Sequence, residues 1–524
     1  MPDLKVGQLL MVGFPGLEPG PEIKRLIAER HIGGICLFAR NIASPEQVRE
    51  LNADLQSLAK AAGDPPLLIS IDQEGGTVQR LLEPATEWPG NMALGATGSA
   101  ELAREAAAAI ALELRAVGCN WDLAPDLDVN NNPANPIIGV RSFGGDPALV
   151  AELGVAAVLG YQQNRVIACG KHFPGHGDTA QDSHLTLPTV PHSLERLHQV
   201  ELVPFKAAIE EGIDSIMTTH ITFPSVDPTP GLPATLSKPA LTGLLREQLG
   251  FNGVIICDAM EMEAIVGNFG IGDATVMAVL AGADMVPVCS GLERQFEAHD
   301  ALVAAVKDGH LPRERVEQSI ARLMEMRKKY DLTRHRPKGQ PGLDVVGAPR
   351  HQAIAREIAE RSITKVRDPQ GHVPISISPD QDLLAVWLND LPRTPAESRE
   401  RATAVFGDAI RERHARLRSV LVSPDPNDEE IAAAVEAAQG CAMIIAGTIN
   451  LHLNPGQKKM IEALAATNLP LVWISFASPY DLNYFPQSET YLCAYSWRPA
   501  SVEAAVRVLF GEIEATGKLP IELS

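Results

Sequence analysis

The sequence has little of what defines several large protein classes. Its seven cysteines are an odd number and form no CxxC pair, which argues against a disulfide framework or a cysteine-based zinc site. No apolar run reaches the ~20 residues needed to cross a bilayer, and the first residues lack a signal-peptide pattern. Neither GxGxxG nor a P-loop sequence occurs. These absences predict a reduced, soluble protein of the cytoplasm.

Basic side chains are also fewer than acidic ones. The chain has 45 basic against 65 acidic side chains, a formal net charge of −20. Such a surface repels nucleic acid phosphates and anionic lipids, so we expect neither as a partner. Hydrophobic residues make up 45% and charged residues 21% of the 524 residues, which is typical of a folded protein. This length predicts at least two domains, because single hydrophobic cores stop growing at about 250–300 residues.

Short apolar runs alternate with helix-like segments from the start to about residue 330. Examples of the helix-like segments are 148–163 and 194–212, whose apolar spacing suits a helix packed on a sheet. About eight such β–α units predict a (β/α)8 barrel. The predicted strands are 8–14, 34–38, 67–71, 120–123, 166–170, 215–219, 254–257 and 284–288.

Polar, chemically capable residues recur just after these predicted strands. In a parallel barrel the carboxyl ends of the strands meet at one mouth, where active sites are built. Residues from separate units can therefore meet in space although they are distant in sequence. The residues in question are Asp72, Asp126, Lys171, His172, His220 and Asp258.

A second domain is predicted after the barrel. Residues 330–350 are rich in proline, glycine and basic residues, which is typical of a linker. Strand-like runs return at 383–388, 419–422, 442–446, 471–475 and 491–495, with helical patterns at 395–417 and 456–467. We therefore expect a barrel domain over residues 1–330, a linker over 331–350 and a smaller α/β domain over 351–524.

The segment 171–184, KHFPGHGDTAQDSH, contains three histidines, two aspartates and a lysine, side chains that can act in catalysis or bind metals. Its glycines argue against a helical HExxH metal site. Asp182 can fix the tautomer of His184, whose unperturbed pKa of ~6.5 suits both acid and base catalysis. Two alternatives stay open at this point. His172, His176 and His184 could converge on zinc, or the histidines could only satisfy backbone groups of the loop.

Three other segments offer polar groups at predicted strand ends or in loops. Asp258 follows the run VIIC and could be a nucleophile, a general base, a ligand or a helix N-cap. Asp72 and Arg80, in ISIDQEGGTVQR, could bind the hydroxyls of a polar ligand or form a surface ion pair. Arg141, in NPIIGVRSFG, could contact the ligand or bond to loop carbonyls.

The order of these segments resembles that of β-N-acetylhexosaminidases of glycoside hydrolase family 3. The resemblance spans residues 5 to about 330 and is most specific in KHFPGHGDT-x-x-DSH. SFASPYDLNYFPQSETYLCAYS resembles the α/β-sandwich second domain of longer members. The other matching segments are GGICLFARNI, IDQEGG-x-V-x-R, DLAPDLDV, NPIIGVRSFG, PATLSKPALTGLLREQLGF and GVIICDAMEM.

The resemblance implies a role for each matching residue. Asp258 corresponds to the nucleophile, His184 to the acid/base and Asp182 to the partner of that histidine. No metal or cofactor is implied, and the expected partner is a small carbohydrate. The implied sugar-binding positions are Asp72, Arg80, Arg141, Lys171 and His172.

Three positions depart from the family pattern without removing an assigned role. Thr77 stands where many members carry arginine, Val140 where a polar residue is common, and Ala259 where a second aspartate often follows the nucleophile. The departures could alter what the site accepts beyond the first sugar.

The expected activity is that of a retaining exo-β-N-acetylglucosaminidase acting on cell-wall or chitin fragments. Phosphorolysis with the same His–Asp pair is the main alternative. A β-glucosidase is disfavoured, because members of that type typically lack the histidine loop. An inactive carbohydrate-binding protein and a metallohydrolase are further alternatives. The sequence does not indicate the oligomeric state.

Overall fold

The computed structural model describes residues 4–180, 187–333, 335, 339–389 and 405–523. In chain order, the strands are β1 (Leu10–Val12), β2 (Gly34–Leu37), β3 (Leu68–Ile71), β4 (Gln73–Gly75), β5 (Val78–Gln79), β6 (Trp121–Asp122), β7 (Cys169–Phe173), β8 (Ser215–Thr218), β9 (Val254–Ile256), β10 (Val286–Val288), β11 (Thr364–Arg367), β12 (Asp382–Leu388), β13 (Leu417–Val422), β14 (Cys441–Thr448), β15 (Leu471–Ser475) and β16 (Thr490–Cys493).

Helices separate most of these strands. The α-helices are α1 (Pro21–Arg30), α2 (Pro45–Ala61), α3 (Asn91–Thr97), α4 (Ala100–Val117), α5 (Pro147–Gln163), α6 (Leu194–Gln199), α7 (Val203–Glu210), α8 (Glu263–Phe269), α9 (Ile271–Ala281), α10 (Leu292–Lys307), α11 (Arg313–Lys329), α12 (Pro349–Ser362), α13 (Val405–Arg413), α14 (Asp428–Ala437), α15 (Pro455–Ala465) and α16 (Pro499–Leu509). Short 3-10 helices lie at Val6–Leu9, Ala39–Asn41, Gly139–Arg141, Ala234–Leu236, Leu343–Val345 and Pro479–Tyr484, and a π-helix at Pro239–Gln248.

Eight parallel strands close into a barrel in the described part of the chain. One sheet has the order β10-β1-β2-β3-β6 and another the order β7-β8-β9. Two parallel bridges join the sheets, Trp121 with Ile167 and Ile256 with Met285. The strands are buried on both faces, as their continuous apolar runs require. The predicted (β/α)8 fold is confirmed.

Every predicted strand region of the barrel overlaps an observed strand, but β7 lies further along the chain than expected. Lys171 and His172 are inside β7, not after it. The apolar run ends at Gly170, which is why the sequence suggested an earlier end. The strand continues because both polar side chains point into the barrel mouth, where carboxylates pair with them.

Helix boundaries follow local signals in the sequence. Ser44 and Ser99 accept hydrogen bonds from the first turns of α2 and α4, and α4 ends at Gly118 with φ +91°. The single helix predicted over 194–212 was wrong, because two helices occupy that stretch. Pro204 lies in the first turn of α7, where its missing N–H is tolerated, and it could not sit inside a continuous helix.

Asp284 organises the amino-terminal end of the barrel. Its buried carboxylate binds Arg246, Arg315 at 3.3 Å and Arg322 at 3.1 Å, and accepts a hydrogen bond from Ser319 Oγ at 2.7 Å. These partners belong to the π-helix and α11. Asp284 therefore ties two outer helices to the start of β10.

The C-terminal part of the chain is an α/β sandwich built on one six-stranded sheet. Its order is β11-β16-β15-β14-β12-β13, parallel except that β11 runs antiparallel to β16. β11 was not predicted, since its alternating polar residues interrupt the apolar run. Of the helix predicted over 395–417, α13 covers residues 405–413, and the prediction extended too far because Leu417 already belongs to β13. Residues 390–404 lie outside the described residues. The predicted domain boundaries at 330 and 350 stay a prediction.

The sandwich contacts the barrel directly. Helix α12 packs against both α4 and α16, and His351 Nδ1 lies 2.8 Å from Glu113 Oε1 of α4. Near the C-terminus, the Lys518 N–H donates to the Ala96 carbonyl at 2.9 Å. Tyr480 and Arg498 also reach barrel loops. The two halves are thus held by hydrogen bonds as well as apolar packing.

No single helix in the described ranges is long and apolar enough to span a membrane. The pair α8 and α9, bent by 105° at the break between them, passes the same test by length and composition only.

Replacing Asp284 should destabilise the barrel. In Asp284→Asn the three arginines keep their charges but lose the carboxylate, and removing one partner of a buried ion pair typically costs about 3–5 kcal/mol. The measurement is the shift of the urea midpoint of the barrel. Glu317→Gln, which breaks the exposed Arg313–Glu317 pair, should change stability by less than ~0.5 kcal/mol. Equal stability of the two variants would contradict the role assigned to Asp284.

Candidate active site

A cavity of about 560 Å³ lies at the carboxyl ends of the barrel strands. One wall carries basic and acidic side chains from the loops after β3 and β6 and from β7. The opposite wall is the segment that follows β9, from Asp258 to Glu263. Met11, Cys36, Leu123 and Met217 contribute apolar lining between the two walls.

Six of the eight predicted site residues meet at this cavity. Asp182 and His184 lie outside the described residues. A larger cavity of about 660 Å³, between α2, the end of α4 and the linker, contains none of the six. The residues that meet are Asp72, Arg80, Arg141, Lys171, His172 and Asp258.

Alternating charges connect the sugar-binding candidates. Lys171 Nζ lies 3.0 Å from Asp72 Oδ1 and 2.6 Å from Glu74 Oε1. Arg141 binds Glu74 in a fork, with Nε 3.0 Å from Oε2 and Nη2 2.8 Å from Oε1. Arg80 Nη2 lies 3.5 Å from Asp72 Oδ2. We call Asp72, Glu74, Arg80, Arg141 and Lys171 the charged network.

The network keeps its members ionised although they are buried. Burial alone would raise the pKa of Glu74, but Arg141 and Lys171 overcome it and hold that pKa well below its usual range. The pKa of Lys171 is raised, since Glu74 and Asp72 outweigh the burial that opposes its charge. Asp72 and Arg80 do form the ion pair considered as an alternative, but not at the surface, because their side chains are only 16% and 9% exposed and line the cavity.

Asp128 orients His172. Its Oδ2 lies 2.7 Å from His172 Nδ1, and its Oδ1 accepts from the backbone N–H groups of His172 and His176 at 3.2 and 2.6 Å. Burial opposes the charge of Asp128, but the histidines and these N–H groups lower its pKa. The carboxylate thus places the imidazole proton on Nδ1. His172 Nε2 lies 3.4 Å from Arg141 Nη2 at the cavity.

Two further groups lie beside His172. Burial, with the neighbouring His172, lowers the pKa of His176 to about 4, so this imidazole is neutral near pH 7. Burial and the charge of Asp128 raise the pKa of Asp126 well above its usual value. Asp126 Oδ2 also lies 3.9 Å from both Arg141 Nη2 and His172 Nδ1.

Two groups of side chains bring possible metal ligands within 4.8 Å of one another. They are Asp126, Asp128 and His172, and Asp178, His192 and Glu201. Each group holds one histidine and two carboxylates, unlike the three-histidine arrangement considered for zinc. His184, the third histidine of that arrangement, is not among the described residues.

Asp258 begins the segment after β9 and lines the cavity. Its Oδ1 accepts from the Ala259 N–H at 2.7 Å. Helix α8 begins at Glu263 with Met262 as its N-cap, so Asp258 does not cap that helix. His220 lies beneath this segment, with Nε2 3.0 Å from the Ala259 carbonyl oxygen. The backbone next to Asp258 is therefore held in place by His220.

The sequence analysis missed Glu74, Asp128 and Glu261 as site residues. Glu74 stands two positions after Asp72, and Asp128 two after Asp126, so each pair falls on one face of an extended segment. That spacing was a usable signal. Glu261 accepts from the Cys289 N–H at 3.0 Å, and burial, followed by the charge of Asp258, raises its pKa. Its partner is distant in sequence and gave no local signal.

Comparisons with known proteins agree with this architecture. Residues 1–326 match the model of the glycosyl hydrolase family 3 N terminal domain. The chain is 31% identical to Beta-hexosaminidase A of Pseudoalteromonas piscicida, covering 96% of this chain and 91% of the relative. It is also 31% identical to a beta-N-acetylglucosaminidase/beta-glucosidase of Cellulomonas fimi, covering 99% and 93%.

Solved structures give the same picture. A glycoside hydrolase family 3 beta-N-acetylglucosaminidase from Paenibacillus sp. str. FPU-7 superimposes with a TM-score of 0.95 at 42% identity, covering 100% of this chain and 99% of the other. A beta-glucoside phosphorylase superimposes with a TM-score of 0.83 at 25% identity, covering 100% of this chain and 93% of the other. Because the family model matches residues 1–326 and these relatives align over nearly the whole chain, the chain belongs to glycosyl hydrolase family 3 and is a glycoside hydrolase.

Proposed function

We propose that this glycoside hydrolase is a retaining exo-β-N-acetylglucosaminidase with Asp258 as its nucleophile. The observation that carries the proposal is the position of Asp258, at the strand end of a cavity whose opposite wall is the charged network. The names of the relatives support the sugar, since they include beta-hexosaminidases and a beta-N-acetylglucosaminidase.

In the first step, a carboxylate oxygen of Asp258 bonds to the anomeric carbon while the glycosidic C–O bond breaks. His184, held by Asp182, protonates the leaving oxygen. In the second step His184 removes a proton from water, which attacks the same carbon and releases the sugar with its β-configuration retained. The roles of His184 and Asp182 rest on the family resemblance.

The charged network binds the sugar hydroxyls in this mechanism. Asp72 and Arg80 are its least buried members and reach the cavity, whereas Glu74 is enclosed and holds Lys171 and Arg141 in place. Groups that are fixed before the substrate arrives need little reorganisation in the transition state. Glu74 therefore acts through its two cationic neighbours.

Phosphorolysis is the second candidate, because one structural neighbour is named a beta-glucoside phosphorylase. Electrostatics favour water as the acceptor. Among the described lining residues, Arg80, Arg141 and Lys171 are each already paired with a carboxylate. On the other wall, Glu261 and Glu263 stand near Asp258. A phosphate dianion would meet carboxylates there.

We further propose that the substrates are cell-wall or chitin fragments ending in N-acetylglucosamine and that the enzyme works in the cytoplasm. The seven cysteines are all free thiols, which suits a reducing compartment.

Asp258→Asn should lower kcat/KM on 4-nitrophenyl N-acetyl-β-glucosaminide by at least about 10⁴-fold, because the amide cannot form the glycosyl ester. The exposed Asp273, on α9 of the following unit, provides the control Asp273→Asn with unchanged kinetics. A 5-fluoro-N-acetylglucosaminyl fluoride should trap a covalent adduct on the peptide that contains Asp258. Labelling of a different carboxylate would refute the assignment of the nucleophile.

Inorganic phosphate should leave the rate of nitrophenol release unchanged, with free N-acetylglucosamine as the sugar product. The measurement is product identification with and without phosphate, at matched ionic strength with sodium sulfate as the control salt. Acceleration by phosphate together with N-acetylglucosamine 1-phosphate would establish the phosphorylase instead.

Glu74→Gln should reduce both activity and stability, since Lys171 and Arg141 lose a shared buried partner. We expect a loss of about 3–5 kcal/mol near pH 7. The folded-state pKa of Glu74 is depressed, so its contribution is present above the unfolded pKa of about 4.3 and is lost as pH falls through the folded value. The difference in Tm between the wild-type protein and the variant should therefore narrow in acid.

The exposed Glu101 of α4 supplies the matched control, Glu101→Gln, which should show wild-type stability at each pH. A Tm difference for Glu74→Gln that stays constant down to about pH 3 would contradict an ionised Glu74.

A further inference from the structure

Arg498 of the C-terminal sandwich places a fully buried guanidinium against a barrel loop beside the active site. Arg498, the residue before α16, has a side chain that is 1% exposed. Its Nε and Nη2 donate to the Gly76 carbonyl at 2.9 and 2.6 Å, and its Nη1 donates to Glu87 Oε2 at 3.1 Å. Three donors of one side chain are thus used on the barrel.

The carbonyl that Arg498 binds belongs to the tight turn between β4 and β5. Gly75 and Gly76 have φ values of +86° and +60°, which glycine adopts without strain. The Gly76 N–H donates to the Trp88 carbonyl at 2.8 Å. Both backbone groups of Gly76 therefore have partners outside the turn, one in the barrel and one in the sandwich.

This hairpin carries the substrate-facing part of the charged network. Asp72 immediately precedes β4, Glu74 lies in β4, and Arg80 immediately follows β5. Gln73 Oε1 accepts from the Arg80 N–H at 2.8 Å, which links the two ends of the hairpin. Glu74 and Arg80 are each within four residues of Gly76 along the chain. A displacement of the turn would therefore move both side chains.

A second contact from the sandwich follows the same pattern. Tyr480 Oη donates to the Asn130 carbonyl at 3.0 Å. Asn130 lies two residues beyond Asp128, the carboxylate that orients His172. Arg498 follows β16 and Tyr480 follows β15, so neighbouring strands of one sheet brace two loops of the site.

We propose that Arg498 is a positioning residue for substrate binding, holding the Gly75–Gly76 turn so that Asp72 and Arg80 face the sugar. The proposal rests on the proposed function and deepens it, because it makes the sandwich a part of the substrate site. Arg498 contacts the turn and not the sugar, and it acts through the hairpin.

The test is Arg498→Ala with kcat and KM measured separately on 4-nitrophenyl N-acetyl-β-glucosaminide. We expect KM to rise by about 10- to 100-fold with a smaller change in kcat, since a misplacement of about 1 Å can cost ~100-fold. Millimolar guanidinium chloride should restore KM by filling the space left by the side chain. Sodium chloride at the same ionic strength should not.

Arg507→Ala is the matched control. Arg507 lies on α16 and pairs with Glu360 and Glu512, so its loss removes a guanidinium from the same helix region but away from the hairpin. Its KM should equal that of the wild-type protein. A folded Arg498→Ala protein with wild-type KM would overturn the proposal, as would a loss of kcat alone that guanidinium does not restore.

Arg498→Lys covers the case in which the alanine variant does not fold. Lysine keeps the charge and the apolar stem but cannot bind Gly76 and Glu87 in the same fork. A raised KM in this variant supports the proposal, and a wild-type KM overturns it. If neither variant folds, Arg498 serves folding and the proposal is overturned.

Failure of the proposed function gives a different result. In that case the unaltered protein would not hydrolyse 4-nitrophenyl N-acetyl-β-glucosaminide. Another 4-nitrophenyl β-glycoside that the unaltered protein hydrolyses would then replace the probe, and the same KM comparison would decide the role of Arg498.

Discussion

The buried alternation of charge through Asp72, Lys171, Glu74 and Arg141 is the interaction on which the active-site end of the barrel depends. Each ion taken singly would be costly to bury, and each is stabilised because it contacts at least one group of the opposite charge. The four residues come from three separate segments of the chain. Forming the network therefore fixes the hairpin after β3, the loop that follows β6, and β7 relative to one another.

The two ends of the barrel use the same chemistry for different purposes. At the amino-terminal end, the fully buried side chain of Asp284 is surrounded by three arginines and a serine. At the carboxyl end, Asp72 keeps 16% of its side chain exposed and lines the cavity. A carboxylate enclosed by partners stabilises the fold, whereas one left partly open can bind a ligand.

The sequence predicted what depends on neighbouring residues and missed what depends on distant ones. Apolar runs located the eight barrel strands, and Asp258 lies at the cavity, as its position after the run VIIC predicted. Its role as nucleophile, which the family resemblance implies, stays a prediction. Glu74 and Asp128 were overlooked, since their roles come from Lys171 and His172, which lie in another β–α unit. β7 was placed too early because polar residues inside a strand are favourable only when a buried charge network satisfies them. Asp182 and His184 stay predictions.

The sandwich changes how the substrate site is understood. In the proposed mechanism the barrel places its nucleophile, Asp258, at a single strand end, whereas the groups proposed to hold the sugar sit on loops whose turns need support. Gly76 supplies a carbonyl that Arg498 from the sandwich binds, and Asn130 supplies one for Tyr480. Because both contacts are made by backbone oxygens, the side chains of these loops remain available for the ligand. The chain thus separates chemistry, carried by the barrel, from the rigidity of its binding loops, to which the sandwich contributes.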